Sequence, residues 1–270
     1  MKDLTPEELE LNRKRRLLER LKDRLADREE DMADLRGELE RFEARYKMEV
    51  GRLYADLDEI DAQIAEEEYK LVPDDEEIKK KAEELRRRAE ESAANSENSD
   101  ADSFKWNPTP EARKAYHNLA RTIHPDLALD PEEKKKRHGL MAKLNEAYSA
   151  GDQAQLNKLV EDYKISPETV SGDSIGDDLV RAIRQIAQIK VRLNELGEEK
   201  EKAQLSELFV LRQKVQAEFG EGRDMLRQMA ERTKSFIKKS ERRLKNLQNV
   251  NEAAEEYVKE RYGMDISTFR

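Results

Sequence analysis

The run Thr109-Pro110-Glu111-Ala112-Arg113-Lys114-Ala115-Tyr116-His117-Asn118-Leu119-Ala120-Arg121-Thr122-Ile123-His124-Pro125-Asp126 decides how this chain is read. Its first three residues form a helix start: a hydroxyl at the N-cap, a proline at the first helical position and a carboxylate at the positive end of the dipole. Ala112, Ala115, Tyr116, Leu119 and Ile123 then recur at helical spacing and give the helix an apolar face. Arg113, His117, Arg121 and His124 step round at about one turn each and share a different face. Pro125 stops the helix, because it has no N–H to donate and restricts the residue before it. A second start, Asp130-Pro131-Glu132-Glu133, opens a helix whose Leu140, Leu144, Ala147 and Tyr148 can face the first. Two helices joined by so short a loop predict an antiparallel hairpin with His124-Pro125-Asp126 at its tip.

Taken together, Arg113-Lys114-Ala115-Tyr116, Leu119-Ala120, His124-Pro125-Asp126 and Leu144-Asn145-Glu146-Ala147-Tyr148 resemble the J domain of the DnaJ-type cochaperones. The resemblance covers residues 104–163, under a quarter of the chain. It implies that the hairpin docks on the ATPase domain of a DnaK-type heat-shock chaperone and triggers hydrolysis there, with no chemistry on this chain. It assigns contact with that partner to His124, Pro125, Asp126, Arg113, Lys114, Tyr116, His117 and Arg121. The residue types suit such a task. Asp126 is an acceptor-only carboxylate able to take an arginine bidentately, and a donating imidazole is favoured at a helix C-terminus, where His124 falls. Pro125 stiffens the loop, so less ordering entropy is lost on contact. Arg113, Lys114 and Arg121 would meet an acidic surface and speed encounter.

The chain also departs from that family's pattern. Phe104-Lys105-Trp106-Asn107-Pro108 stands where a short helix with a Tyr and a Leu-Gly turn is usual, and Phe104 and Trp106 are expected to cap the hairpin instead. Straight after Tyr116, where two basic residues are usual, come His117 and Asn118. Each member of the tripeptide has a structural use as well: His124 can cap its own helix, Pro125 can stop it, and Asp126 can cap a turn. All three histidines fall in this segment, but His138 lies on the second helix away from the tip, so neither a metal site nor a cofactor is expected. Lys134-Lys135-Lys136-Arg137 sits beside Glu132 and Glu133 and reads as a solvated face. After Tyr148, Ala150-Gly151-Asp152 is a helix stop and a new N-cap, and Leu156, Leu159, Val160 and Tyr163 give a further short helix.

Of the 270 residues 42% are charged and 36% hydrophobic, a composition that suits thin helical layers around a small domain better than one large core. No cysteine is present, which excludes disulfides, thiolate metal sites and a cysteine nucleophile. No apolar run approaches the ~18 residues of a membrane span, and charge begins at Lys2 and Asp3, so a cytoplasmic protein is expected. The net charge of −9 argues against wholesale nucleic-acid binding. No nucleophile–base set or phosphate loop appears, so no enzyme is expected.

The flanks read as long helices. Over residues 6–71, Leu18, Leu25, Met32, Leu39, Tyr46, Leu53 and Ile60 keep a seven-residue repeat, while the companion stripe is interrupted at Arg28, Glu49 and Asp56 and slips by one residue from Val50. Such a seam suits a helix packed on two neighbours. Val72-Pro73-Asp74-Asp75 breaks it and starts a charged helix from Glu76 to about Ala94, followed by a Ser- and Asn-rich linker over 93–103. Residues 164–176 read as a second linker. Asp177-Asp178 is expected to cap a helix to Phe219, with a stutter near 197–204; Gly220-Glu221-Gly222 turns the chain, and a last helix runs from Arg223 to Tyr262 and ends at Gly263.

The expected architecture is therefore all-α: long coiled-coil helices flanking a small J-like helical hairpin domain. Its segments are 1–72 (N-terminal helix), 73–103 (charged helix and linker), 104–163 (J-like domain), 164–176 (linker) and 177–270 (antiparallel coiled-coil hairpin), with helix 6–71 expected to lie on the C-terminal pair. Two functions are open: a cochaperone that stimulates a DnaK-type ATPase, its coiled coil choosing client or location, and a structural scaffold whose J-like module docks without stimulation. Either leaves a client, a scaffold protein or a second copy of the chain as partner for the coiled coil.

Overall fold

The computed structural model describes residues 5–97, 108–164 and 174–262, and all regular structure among them is helical. The protein is all-α. In chain order the helices are α1 (Pro6–Tyr46), α2 (Arg52–Leu71), α3 (Glu76–Glu97), α4 (Pro110–Ile123), α5 (Pro131–Ala150), α6 (Gln153–Lys164), α7 (Ile175–Gln204), α8 (Glu207–Gly220) and α9 (Met225–Tyr262). None of these is long and apolar enough to cross a membrane. The chain forms two compact units, the described parts of Met1–Arg41 with Lys105–Val210, and of Phe42–Phe104 with Leu211–Arg270.

In the first unit α4, α5 and α6 gather around Ala112, Tyr116, Leu119, Ile123, Leu144 and Leu156, all buried. Ala26 and Ala33 of α1 close one side of this core, and their small side chains let the helix come near. A second stripe of α1, Leu18, Leu21, Leu25, Met32 and Leu35, packs on Ile186, Ile189 and Leu196 of α7. Polar pairs fix the direction. Arg15 meets Asp178 at 2.8 Å, Glu29 meets Arg192 at 2.9 Å and Arg36 meets Glu199 at 2.7 Å, each 163 residues apart, so α1 and α7 run parallel. The helix thus packs on two neighbours, as its interrupted seam suggests.

In the second unit α2 packs on both α3 and α9. Arg86 of α3 reaches Glu59 at 2.6 Å and Glu66 at 2.7 Å, and Ser92 reaches Asp58 at 2.6 Å, an antiparallel pairing. Ser240 meets Asp61 at 3.1 Å and Asn251 donates to the Glu67 carbonyl at 3.2 Å, so α9 runs parallel to α2. Ala62 and Ala65 of α2 and Ala82 and Ala89 of α3 are buried.

Several expectations are corrected. Residues 6–71 are not one regular helix: Lys47–Gly51 forms a π turn, with Val50 fully buried. The slip of the apolar stripe at Val50 is therefore taken up by an extra residue in one turn, not by gradual drift. The 93–103 linker begins later, since α3 continues to Glu97. Ser174, not Asp177-Asp178, caps α7: its Oγ accepts the Asp177 N–H at 3.2 Å. The break after that helix falls at Leu205-Ser206, just beyond the expected stutter. The two units divide both segment 1–72 and segment 177–270, and α7 packs on α1 within the first unit and α9 on α2 within the second. Residues 98–103, the capping pair Phe104 and Trp106, residues 165–173 and Gly263 lie outside the described residues.

Candidate functional site

The hairpin forms where its local signals place it. Thr109 Oγ1 accepts the Ala112 N–H at 3.1 Å, and Asp130 accepts the Glu133 N–H at 2.9 Å, each with a proline following at the first helical position. Gly151 ends α5 with φ of 73°, a left-handed conformation in which glycine carries no Cβ penalty. Between the helices, Pro125–Leu127 forms one 3-10 turn closed by the Leu127 N–H on the His124 carbonyl at 3.0 Å and the Ala128 N–H on the Pro125 carbonyl at 3.1 Å. Arg137 of α5 donates to the Thr122 carbonyl at 3.2 Å, satisfying an orphan acceptor at the end of α4.

The tripeptide is enclosed more than a loop tip would be. His124 is 2% exposed. Its Nδ1 accepts the Asp126 N–H at 3.1 Å, which leaves Nε2 to carry the proton and donate to Glu29 of α1 at 3.0 Å. Glu29 is itself 5% exposed and also accepts from Arg192 of α7. Burial pushes the Glu29 carboxyl up, but hydrogen bonds from His124 and Arg192 outweigh it and hold the group below the usual value of 4.5. The Arg192 guanidinium, though half buried, is held firmly charged by Glu29 and Glu199. Pro125 is buried, and Leu127 packs into the α1–α7 seam while its carbonyl accepts from Gln185 at 2.7 Å. Asp126 is partly exposed and is met by Lys134 at 3.1 Å. A cleft of about 680 Å³ opens beside it, with Asp126, Lys134, His138, Glu195 and Arg192 on its walls.

Along α4 the polar face leads toward this turn. Arg113 pairs with Asp34 at 2.9 Å, His117 with Asp27 at 3.0 Å, and Arg121 with Glu19 at 2.8 Å and with Asp23. Positions rise along α4 as they fall along α1, so the two helices are antiparallel. Lys114 is exposed. Tyr116 is fully buried: it is a core residue, its ring tilted at 45° against that of Tyr148 with centroids 4.6 Å apart, its hydroxyl donating to Asn145 at 2.8 Å. Tyr148 donates to Asp34 at 2.7 Å. Burial raises both phenols above their ordinary value.

Arg113, His117, Arg121 and His124 thus all face α1, whereas Asp126 meets Lys134 of α5 and lines the cleft with Pro125; Lys114 lies in solvent and Tyr116 inside. Sequence reasoning missed Glu29, Asp34, Asp27 and Arg192. Glu29 did carry a signal: it lies four residues after Leu25 and three before Met32, and so is an acid in the apolar stripe. Such an array can bind and orient a charged partner. Among the described residues no group of three or more His, Cys, Asp or Glu side chains is arranged to hold a metal ion. Comparison with family models, with curated proteins and with solved structures finds no match for this chain.

Proposed function

We propose that the protein is a cochaperone of the J-domain type, which docks on the ATPase of a DnaK-type heat-shock chaperone through His124-Pro125-Asp126 and accelerates ATP hydrolysis there. The observation that carries the reading is the tripeptide at the joint of the α4–α5 hairpin, with Arg113, His117 and Arg121 leading to it along one face. Asp126 would take an arginine of the partner in place of Lys134, and the α4 cations would meet an acidic surface. The chain does no chemistry of its own; it acts in the cytoplasm, where such chaperones work. The flanking helices are coiled coil and choose the client or the location, a reading favoured by the constant offset of the α1–α7 pairs.

A second reading has its own support. The buried contacts of His124 and Glu29 tie the turn to α1, as a structural joint would require, and favour a scaffold whose module docks without stimulation. Single-turnover hydrolysis by a DnaK-type chaperone separates the two. The cochaperone reading expects acceleration by this protein that falls by about ten-fold or more in Asp126→Asn, the size of a lost charge-assisted contact. Equal rates with either protein, and with a variant freed of the α1 acids, would leave the scaffold.

A further inference from the structure

Glu19, Asp23, Asp27 and Asp34 of α1 face α4 at intervals that keep them on one side of the helix, and Glu29, in the neighbouring apolar stripe, meets His124 beyond its end. They meet Arg113, His117 and Arg121 of α4 and His124 at its end. An acidic row set against the basic face of the hairpin has the chemistry expected of the docking partner itself. We propose that residues 19–34 of α1 act as a built-in competitor, covering the docking face until the chaperone displaces them. This rests on the docking reading above and names the regulation of that same site.

The contact is built to be reversible. The core of the hairpin comes almost wholly from α4, α5 and α6, and α1 adds only Ala26 and the partly buried Ala33 to it. The large side chains of α1, Leu18, Leu25, Met32 and Leu35, are committed to α7 on its other stripe. Releasing α4 uncovers little of the hairpin core and exchanges its ion pairs for pairs of the same kind with a partner; the costs are the buried His124–Glu29 bond and the seat of Leu127 in the α1–α7 seam. Most of these pairs are partly exposed, so salt and a competing acidic surface both weaken them. Glu29 is the exception, held in place by Arg192 whether or not His124 stays.

The test uses the full chain and four proteins: the wild type; a Glu19→Lys, Asp23→Lys, Asp27→Lys, Asp34→Lys variant; the same variant with Asp126→Asn; and a double variant, Asp27→Cys with His117→Cys, bridged by a short bismaleimide. The absence of native cysteine makes the bridge specific. With a competitor that leaves about a tenth of the molecules open, reversing the row raises chaperone ATPase stimulation by about ten-fold at subsaturating protein. Asp126→Asn abolishes the gain, and the bridged protein stimulates less than its unbridged form. Equal stimulation by wild-type, reversed and bridged proteins overturns the competitor and leaves the docking reading standing. No stimulation by any of them, with amide exchange showing α4 freed in the reversed variant, overturns both. Unchanged exchange in α4 on reversal also overturns the competitor, because the acids then do not hold the face.

Discussion

Glu29 is the residue on which most of the local order depends. It joins the His124 imidazole, just past α4, to the Arg192 guanidinium of α7, and both His124 and Glu29 are buried. Removing one member of a buried ionic set leaves the others uncompensated, so Glu29→Ala should cost about 3 kcal/mol in urea unfolding of the unit, at the lower end because Arg192 keeps some access to solvent. The pH dependence follows from the direction of the shift. A carboxyl held below its unfolded value of 4.5 contributes stability that is present above that pH and lost as pH falls through the folded value. Its carboxylate is met by His124 and Arg192, and its backbone carbonyl accepts from the Tyr116 hydroxyl at 3.4 Å. Glu30, beside it on α1, is displaced upward by burial and by Asp34 and Asp27, and so acts in the opposite sense. Subtracting the Glu29→Gln profile from that of the wild type isolates the first effect: a stability difference that shrinks on acidification below pH 4.5. A difference that grew instead would contradict the assignment. The sequence showed the caps and the turn because those signals are local, spelled out within a few residues at Thr109, Asp130 and Gly151. It did not show that His124 faces inward, because its partner lies 95 residues away.

At the scale of the element, α1 has two working stripes, apolar toward α7 and acidic toward α4. Its heptad was legible, and so was its imperfection. The acid row was hidden, since in a chain with 61 Asp and Glu residues an acid on a helix surface carries no signal by itself. Exposed pairs contribute about 0–1 kcal/mol each and are screened by salt, so amide exchange in α4 should quicken between low salt and about 1 M, while exchange in the middle of α7 does not. The α2–α3 pairing makes a different demand. Ala62 is fully buried beside it, and Ala62→Leu should destabilise the second unit by about 1–3 kcal/mol through overpacking, read as a shift in its urea midpoint. The start of α3 has a smaller, separable term: Asp75 accepts the Glu77 N–H at 2.9 Å and the Ile78 N–H at 3.2 Å, and Asp75→Ala should cost about 1 kcal/mol.

For the whole molecule, composition indicated thin helical layers, and the protein is all-α with two modest cores in its first unit. Which helix lies on which was not legible. A heptad seam says that a helix has a neighbour but not whether that neighbour is the next helix along or one 163 residues further on. The Gly220-Glu221-Gly222 turn suggested the nearer choice, and the contacts α7 makes with α1 and α9 with α2 are ones no local signal announced. The π turn at Lys47–Gly51 accounts for the break in the repeat that the sequence displays at Val50.

On the proposal above, a chaperone ATPase and the chain's own α1 compete for one face of the hairpin. Hydrogen exchange of the full-length protein, with and without an ATP-bound DnaK-type chaperone, tests it most directly. Competition gives slower exchange over residues 110–127 and, in the same sample, faster exchange over residues 19–34. Unchanged exchange in both segments, or slower exchange in residues 19–34, would contradict it.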